Sequence, residues 1–133
     1  MKKKSNSTTP TAAELAVLQL LWQRGPLSVK EVHEALDSNK PVVYTTVLKT
    51  MQVMMEKAML DRTSAGRKHI YRAVIEQDAT QDTLLDSFLD KTFGGSAKSL
   101  VMRALGKHTP SAEEIDELKA FLDQLEGDEN QPS

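Results

Sequence analysis

The stretch that most constrains this chain runs from Pro41 to Leu60. Val47, Leu48, Met51, Met54 and Met55 recur there at three- and four-residue steps, the spacing that gathers apolar side chains on one face of an α-helix. Pro41 fits a first helical turn, whose amides lack intrahelical acceptors anyway. The other face opens with Tyr44, Thr45 and Thr46, and Lys49 follows one turn on. Small hydroxyl donors and acceptors at that end suit the base edges of a DNA major groove. The plainer reading is a core helix whose Tyr and Thr happen to face water, so the neighbouring segments decide.

Upstream, Thr11-Ala12-Ala13-Glu14 has the spacing of a capping box, and Leu15, Leu18, Leu21 and Trp22 continue as one stripe until Gly25-Pro26. Ser28-Val29-Lys30-Glu31 repeats the box and opens a shorter helix, with Val29, Val32 and Leu36 inward, that stops near Asp37-Ser38-Asn39. Two helices joined by a brief polar turn, the second being the reader, form a helix-turn-helix, and the first helix supplies a third wall.

After Leu60 the pattern alternates. Leu60 to Thr63, a turn at Ser64-Ala65-Gly66, and Arg67 to Val74 predict a hairpin with Leu60, Ile70 and the aliphatic stem of Arg72 inward. Helix, helix, helix, hairpin is the winged-helix order. Arg67 and Lys68 at the hairpin tip suit phosphate contact, or they simply keep an exposed hairpin soluble. Between Lys40 and Arg72 seven Lys/Arg face only Glu56 and Asp61, whereas from Pro110 onward eight Asp/Glu face Lys119 alone. A basic middle on a chain of net charge -2 is what a phosphate-binding face requires, because acidic surface elsewhere discourages other contacts with DNA.

Glu76-Gln77-Asp78-Ala79 breaks the pattern and predicts a domain boundary. Beyond it Leu84, Leu85, Phe88, Leu89 and Phe93 form a helical stripe ended by Gly94-Gly95. Ser96 caps a helix carrying Leu100, Val101, Ala104 and Leu105 before Gly106. Ser111-Ala112-Glu113-Glu114 opens a third, with Ile115, Leu118, Phe121, Leu122 and Leu125. A segment this short rarely builds its own core. Its simplest cover is the same segment of a second copy, since two-fold homodimers dominate and a dyad would present two reader helices to a palindromic site. The alternative is folding back on the winged helix as a monomer.

The resulting fold class is mainly α with a small β-hairpin wing: a flexible basic tail over 1–9, a winged-helix domain over 10–75, a three-helix dimerisation domain over 76–126 and an acidic, polar tail over 127–133. Expected DNA contacts are Tyr44 on a phosphate or thymine methyl, Thr45 and Thr46 at base edges or adjacent phosphates, Lys49 in the groove or on the backbone, and Arg67 and Lys68 on the backbone from the wing. Leu85, Phe88, Leu100, Val101, Leu118 and Leu122 are the expected dimer contacts.

Other chemistry finds little support. With no cysteine, disulfides, thiolate metal sites and thiol catalysis are out, and a reducing cytoplasm is natural. Met1-Lys2-Lys3-Lys4 resembles the start of a signal peptide, but no hydrophobic region follows, and no apolar run is long enough for membrane insertion. His33-Glu34-Ala35-Leu36-Asp37 only approaches a zinc-protease pattern, with Asp at the second histidine position. His33 and Asp37, one turn apart, read as a solvent-facing pair. No phosphate loop or nucleophile elbow occurs, so neither an enzyme nor a cofactor is expected.

The residues resemble the penicillinase-repressor family of the BlaI/MecI type, which also includes copper-responsive relatives. The resemblance rests on Glu14-Leu15 through Leu21-Trp22, Gly25 to Val29, Tyr44 to Leu48 with Met54 and Lys57, Gly66-Arg67 with Tyr71, and Phe93 to Ser96 with Ser99-Leu100-Val101. These pieces span nearly the whole chain in the family's order. The resemblance implies a cytoplasmic bacterial transcriptional repressor: a winged helix, a helical dimerisation part, and double-stranded operator DNA with an inverted repeat overlapping a promoter.

Three departures limit the transfer. Ala58 stands where the family has glycine after the lysine closing the reader helix, which argues against a left-handed cap. The cysteine cluster of the copper-responsive members is missing. In the antibiotic-resistance members a membrane sensor protease cuts an Asn-Phe bond after the Ser-Leu-Val motif, and the aligned positions are Arg103 and Ala104. Competing readings are a ligand-responsive winged-helix regulator, favoured by a pocket beside the dimer helices, and an interaction adaptor, favoured by a lack of salt-dependent DNA binding.

Overall fold

The computed structural model describes residues 9–130, so the expected basic tail, apart from Thr9, and residues 131–133 lie outside the described residues. The elements are α1 (Ala12–Arg24), β1 (Leu27–Ser28), α2 (Val29–Asn39), α3 (Tyr44–Glu56), β2 (Leu60–Ala65), β3 (Lys68–Ala73), α4 (Gln77–Phe93), α5 (Ala97–Lys107) and α6 (Ala112–Asn130). The strands form one antiparallel sheet in the order β1-β3-β2. Helix, helix, helix and hairpin occur in the winged-helix order. Two compact units divide at Asp86 and Ser87. That division falls inside α4, whose first turn includes Gln77 to Ala79.

In the first unit α1 and α2 each start where a side chain replaces missing intrahelical acceptors. The Glu14 amide donates to Thr11 Oγ1 while the Thr11 amide donates to Glu14 Oε1, and Ser28 with Glu31 repeats the exchange. Val17, Leu18 and Leu21 of α1, Val29 and Val32 of α2, and Val47, Met51 and Met54 of α3 meet Met59, Leu60 and Tyr71 in one buried cluster. Trp22 lies at its edge and donates its indole N–H to the Ile75 carbonyl at 3.0 Å, fastening the chain after β3 to α1.

Three local expectations need correction. The reader helix begins at Tyr44, not Pro41. Proline steers the residue before it away from helical geometry, and Lys40 is extended at φ -147, ψ 125. The hairpin turn is Gly66-Arg67, because Ala65 pairs with Lys68. Only its first central residue has positive φ, +67 at Gly66, as a type II′ turn demands. On the sheet's buried face sit Leu60 and Tyr71 rather than Arg72. Arg72 is exposed and reaches Asp61 at 2.9 Å. Tyr71 satisfies its hydroxyl by accepting from Arg62 Nη1 at 3.3 Å.

The end of α3 overturns a fourth expectation, the one drawn from Ala58. Ala58 adopts φ +63. The Met59 amide donates to the Met54 carbonyl at 2.9 Å and the Ala58 amide to the Met55 carbonyl at 3.1 Å. These are the two bonds of a Schellman cap, and buried Met59 and Met54 supply its apolar contact. The satisfied carbonyls and the buried methionine hold alanine in a conformation that glycine enters without steric cost. Ala58→Gly therefore stabilises the domain by about 1 kcal/mol, and a thermal melt with an unchanged or lower midpoint would contradict this.

In the second unit Gly94 and Gly95, both at positive φ, end α4. Ser96 caps α5 by accepting from the Ser99 amide, and the Ser111–Glu114 box precedes α6. α5 continues through Gly106 to Lys107, since one glycine costs a helix only about 1 kcal/mol. α6 passes the expected end at residue 126 and runs to Asn130, so the start of the polar tail is helical. Among the described residues no helix is long and apolar enough to cross a membrane.

Candidate nucleic-acid interface

Packing dictates which face of α3 is free. Burying Val47, Met51 and Met54 turns Tyr44, Thr45, Thr46 and Lys49 outward, and all four are exposed. Val43, the N-cap, makes no capping hydrogen bond, unlike Thr11 and Ser28, so the reader helix opens onto solvent. Thr50, one turn beyond Thr46, instead donates its hydroxyl to the Thr46 carbonyl at 2.9 Å.

The wing lies beside this end. A cleft of about 280 Å³ is lined by Ser28, Lys30, Tyr44, Arg67, Lys68 and His69, among others. It joins the start of α2, the first turn of α3 and the hairpin tip. The expected contacts Tyr44, Arg67 and Lys68 thus share one cleft, whereas Thr46 and Lys49 line a neighbouring hollow with Thr11 and Glu14. Lys30 and His69 are additional polar groups that periodicity could not place, since they depend on β1 pairing with β3. Glu31, just behind, has its carboxyl held below the ordinary value, first by the hydrogen bond from the Ser28 amide and to a smaller extent by the charge of Lys68.

Glu14 anchors the far end of α3. It is only 3% exposed, and its Oε2 accepts from Lys57 Nζ at 2.8 Å. Burial works to raise its pKa, but the hydrogen bonds from Lys57 and Thr11 and the attraction of Lys57 prevail, leaving it below 4.5. Nothing in the local sequence links residues 43 positions apart.

The pair at His33 and Asp37 differs from expectation. His33 Nε2 lies 2.8 Å from the Val42 carbonyl, and Asp37 Oδ1 accepts from the Val42 amide at 3.0 Å. Both residues serve the turn between α2 and α3 rather than only water. Among the described residues no His, Asp and Glu group is arranged to hold a metal ion.

In the second unit Leu85's successor on the stripe, Phe88, is 50% exposed, Val101 is 49% and Leu122 is 61%. Leu118 is exposed as well, and Leu100 is half-buried. Leu85 itself, at the end of the first unit, is also exposed. Phe88 meets Phe93 edge to face at 5.8 Å. α5 contains no buried residue, and α6 is exposed throughout Ala112 to Asp128. Arg103 and Ala104 sit exposed in the middle of α5.

Comparison with known proteins agrees with this architecture. A "Transcriptional regulator BlaI" of Mycobacterium tuberculosis is 30% identical over 122 residues, 90% of this chain and 87% of that protein. The "Penicillinase repressor" of Bacillus licheniformis is 26% identical over 112 residues, 84% of this chain and 88% of that one. The solution structure of the DNA binding domain of the repressor BlaI superposes with a TM-score of 0.50 at 23% identity, covering 58% of this chain and 90% of that domain. A MarR family protein from Bacillus stearothermophilus gives a TM-score of 0.52 at 16% identity, over 95% of this chain and 79% of that one. The sequence model described as "Penicillinase repressor" matches residues 10–124, from the residue before the first capping box into α6, and the chain therefore belongs to the penicillinase repressor family.

Proposed function

We propose that this protein is a sequence-specific DNA-binding transcriptional repressor that occupies an inverted-repeat operator as a homodimer in the cytoplasm. The observation that carries the reading is the exposed row Tyr44, Thr45, Thr46 and Lys49 at the open end of α3, beside the cationic wing tip. Membership in the penicillinase repressor family supports the same reading. Hydroxyls and a phenol reach base edges or thymine methyls, while Lys49, Arg67 and Lys68 neutralise phosphates. Dimerisation through Leu85, Phe88, Leu100, Val101, Leu118 and Leu122 would cover apolar surface that a single chain leaves to solvent. Two reader helices would then meet successive major grooves. The role is one of binding, not catalysis.

The two kinds of contact have separate signatures. A duplex selected from a randomised library by the wild-type protein serves as the specific probe, and a scrambled duplex as the control. Arg67→Ala weakens binding to both and lowers the slope of log affinity against log salt by about 0.9, one phosphate's share. Thr46→Val costs about 1–3 kcal/mol on the selected duplex alone. Unchanged binding of both duplexes by Arg67→Ala across the salt titration would remove the wing from the interface.

Relief of repression by a membrane sensor protease carries over by position only. Arg103-Ala104 lies exposed in α5, but its side chains differ from the family's Asn-Phe pair.

A further inference from the structure

The link between α2 and α3 is fixed by more bonds than a connector needs. The Lys40 amide closes α2 on the Leu36 carbonyl at 3.0 Å. Pro41 then confines Lys40 to extended geometry. Both polar backbone groups of the next residue, Val42, are taken by side chains of α2: Asp37 accepts from its amide, and its carbonyl faces His33 Nε2. A carbonyl can only accept, so Nε2 carries the proton and donates. The same imidazole meets the Tyr44 ring edge to face, with centroids 5.7 Å apart and planes at 77°. Tyr44 is 42% exposed, so this contact covers only part of a side chain that otherwise projects outward.

We propose that His33 and Asp37 form a two-sided clamp on Val42 that aims the Tyr44 ring, making His33 a positioning residue for sequence selectivity although it reads no base itself. The proposal rests on the repressor reading above and deepens it. Edge-to-face geometry confines a ring in a way that an aliphatic neighbour does not. Tyrosine at the first position of a reader helix has two rotatable side-chain bonds, and the bases it can approach depend on where they point. His33 thus acts on DNA through Tyr44, while Asp37 holds the backbone from which Tyr44 departs.

The test measures binding of wild type, His33→Ala, Tyr44→Ala and the double variant to the library-selected duplex and to the scrambled one. His33→Ala lowers affinity for the selected duplex about three- to tenfold, leaves the scrambled duplex unchanged, and adds nothing to Tyr44→Ala. Equal losses on both duplexes, or full additivity in the double variant, overturn the proposal. His33→Gln, which keeps an N–H donor but has no ring, restores the melting temperature without restoring selectivity. Restored selectivity would also overturn it. Nitrogen NMR of the neutral His33 ring, without DNA, should place the proton on Nε2. A proton on Nδ1 overturns the clamp alone, whereas a wild-type protein that enriches no sequence overturns the repressor reading and the proposal together.

Discussion

Leu118→Asp is expected to yield monomers at concentrations where the proposed wild-type dimer should persist, and to collapse the preference for the library-selected duplex. Leu118 is exposed in the single chain on a helix with no buried described residue, so a charge there does not disturb an existing core. The charge becomes costly only when a second copy covers it and strips its water. A monomer retains one reader helix and its phosphate contacts but loses the second half-site. Affinity for the selected duplex should therefore fall toward the non-specific level, about a thousandfold, while the first unit melts normally. A dimer that survives Leu118→Asp, with Leu100→Asp equally silent, would place the interface elsewhere.

Lys57→Ala should be the most damaging single change in the winged helix away from its apolar core. Glu14's side chain is 4% exposed and Lys57's is 34%. Deleting the lysine leaves a buried carboxylate without its cation, whereas deleting the glutamate leaves an ammonium that can turn to water. The partial exposure of Lys57 puts the loss toward the low end of the range for breaking a buried pair, about 3 kcal/mol. That lowers Tm by roughly 10–20 °C for a domain of this size. The pH dependence has a fixed sign. Glu14's folded pKa lies below 4.5, so its stabilisation is complete above that value and is lost as pH falls through the folded pKa. Wild-type melts should decline more steeply below pH 4.5 than those of Glu14→Gln. Parallel curves would show that the pair contributes nothing.

Periodicity made the helices of the winged domain legible because their buried faces repeat at helical spacing, and the capping boxes marked where α1, α2 and α6 begin. The winged-helix order and the outward row on α3 followed from the same pattern. Three features needed three dimensions. Val42 is bound by residues 5 and 9 positions earlier, and their spacing of one turn, which looked like an ordinary surface pair, was the only local sign. Ala58 enters left-handed geometry because Met59 is buried and the Met54 carbonyl needs a donor, a tertiary demand that overrides alanine's own preference. The two-residue β1 is too short to show alternation and exists through its pairing with Tyr71 and Ile70.

The bareness of α5 and α6 also bears on how long the protein lasts. Helices whose apolar side chains are left largely to solvent open readily, and an opened backbone is what a protease binds. An unpaired copy would be cleared before a paired one, so turnover itself would track self-association. Scarce protein would then shrink further and abundant protein persist, giving occupancy of a control site a sharper dependence on synthesis than binding alone supplies. Cleavage rates that fall steeply as protein concentration rises would be its signature.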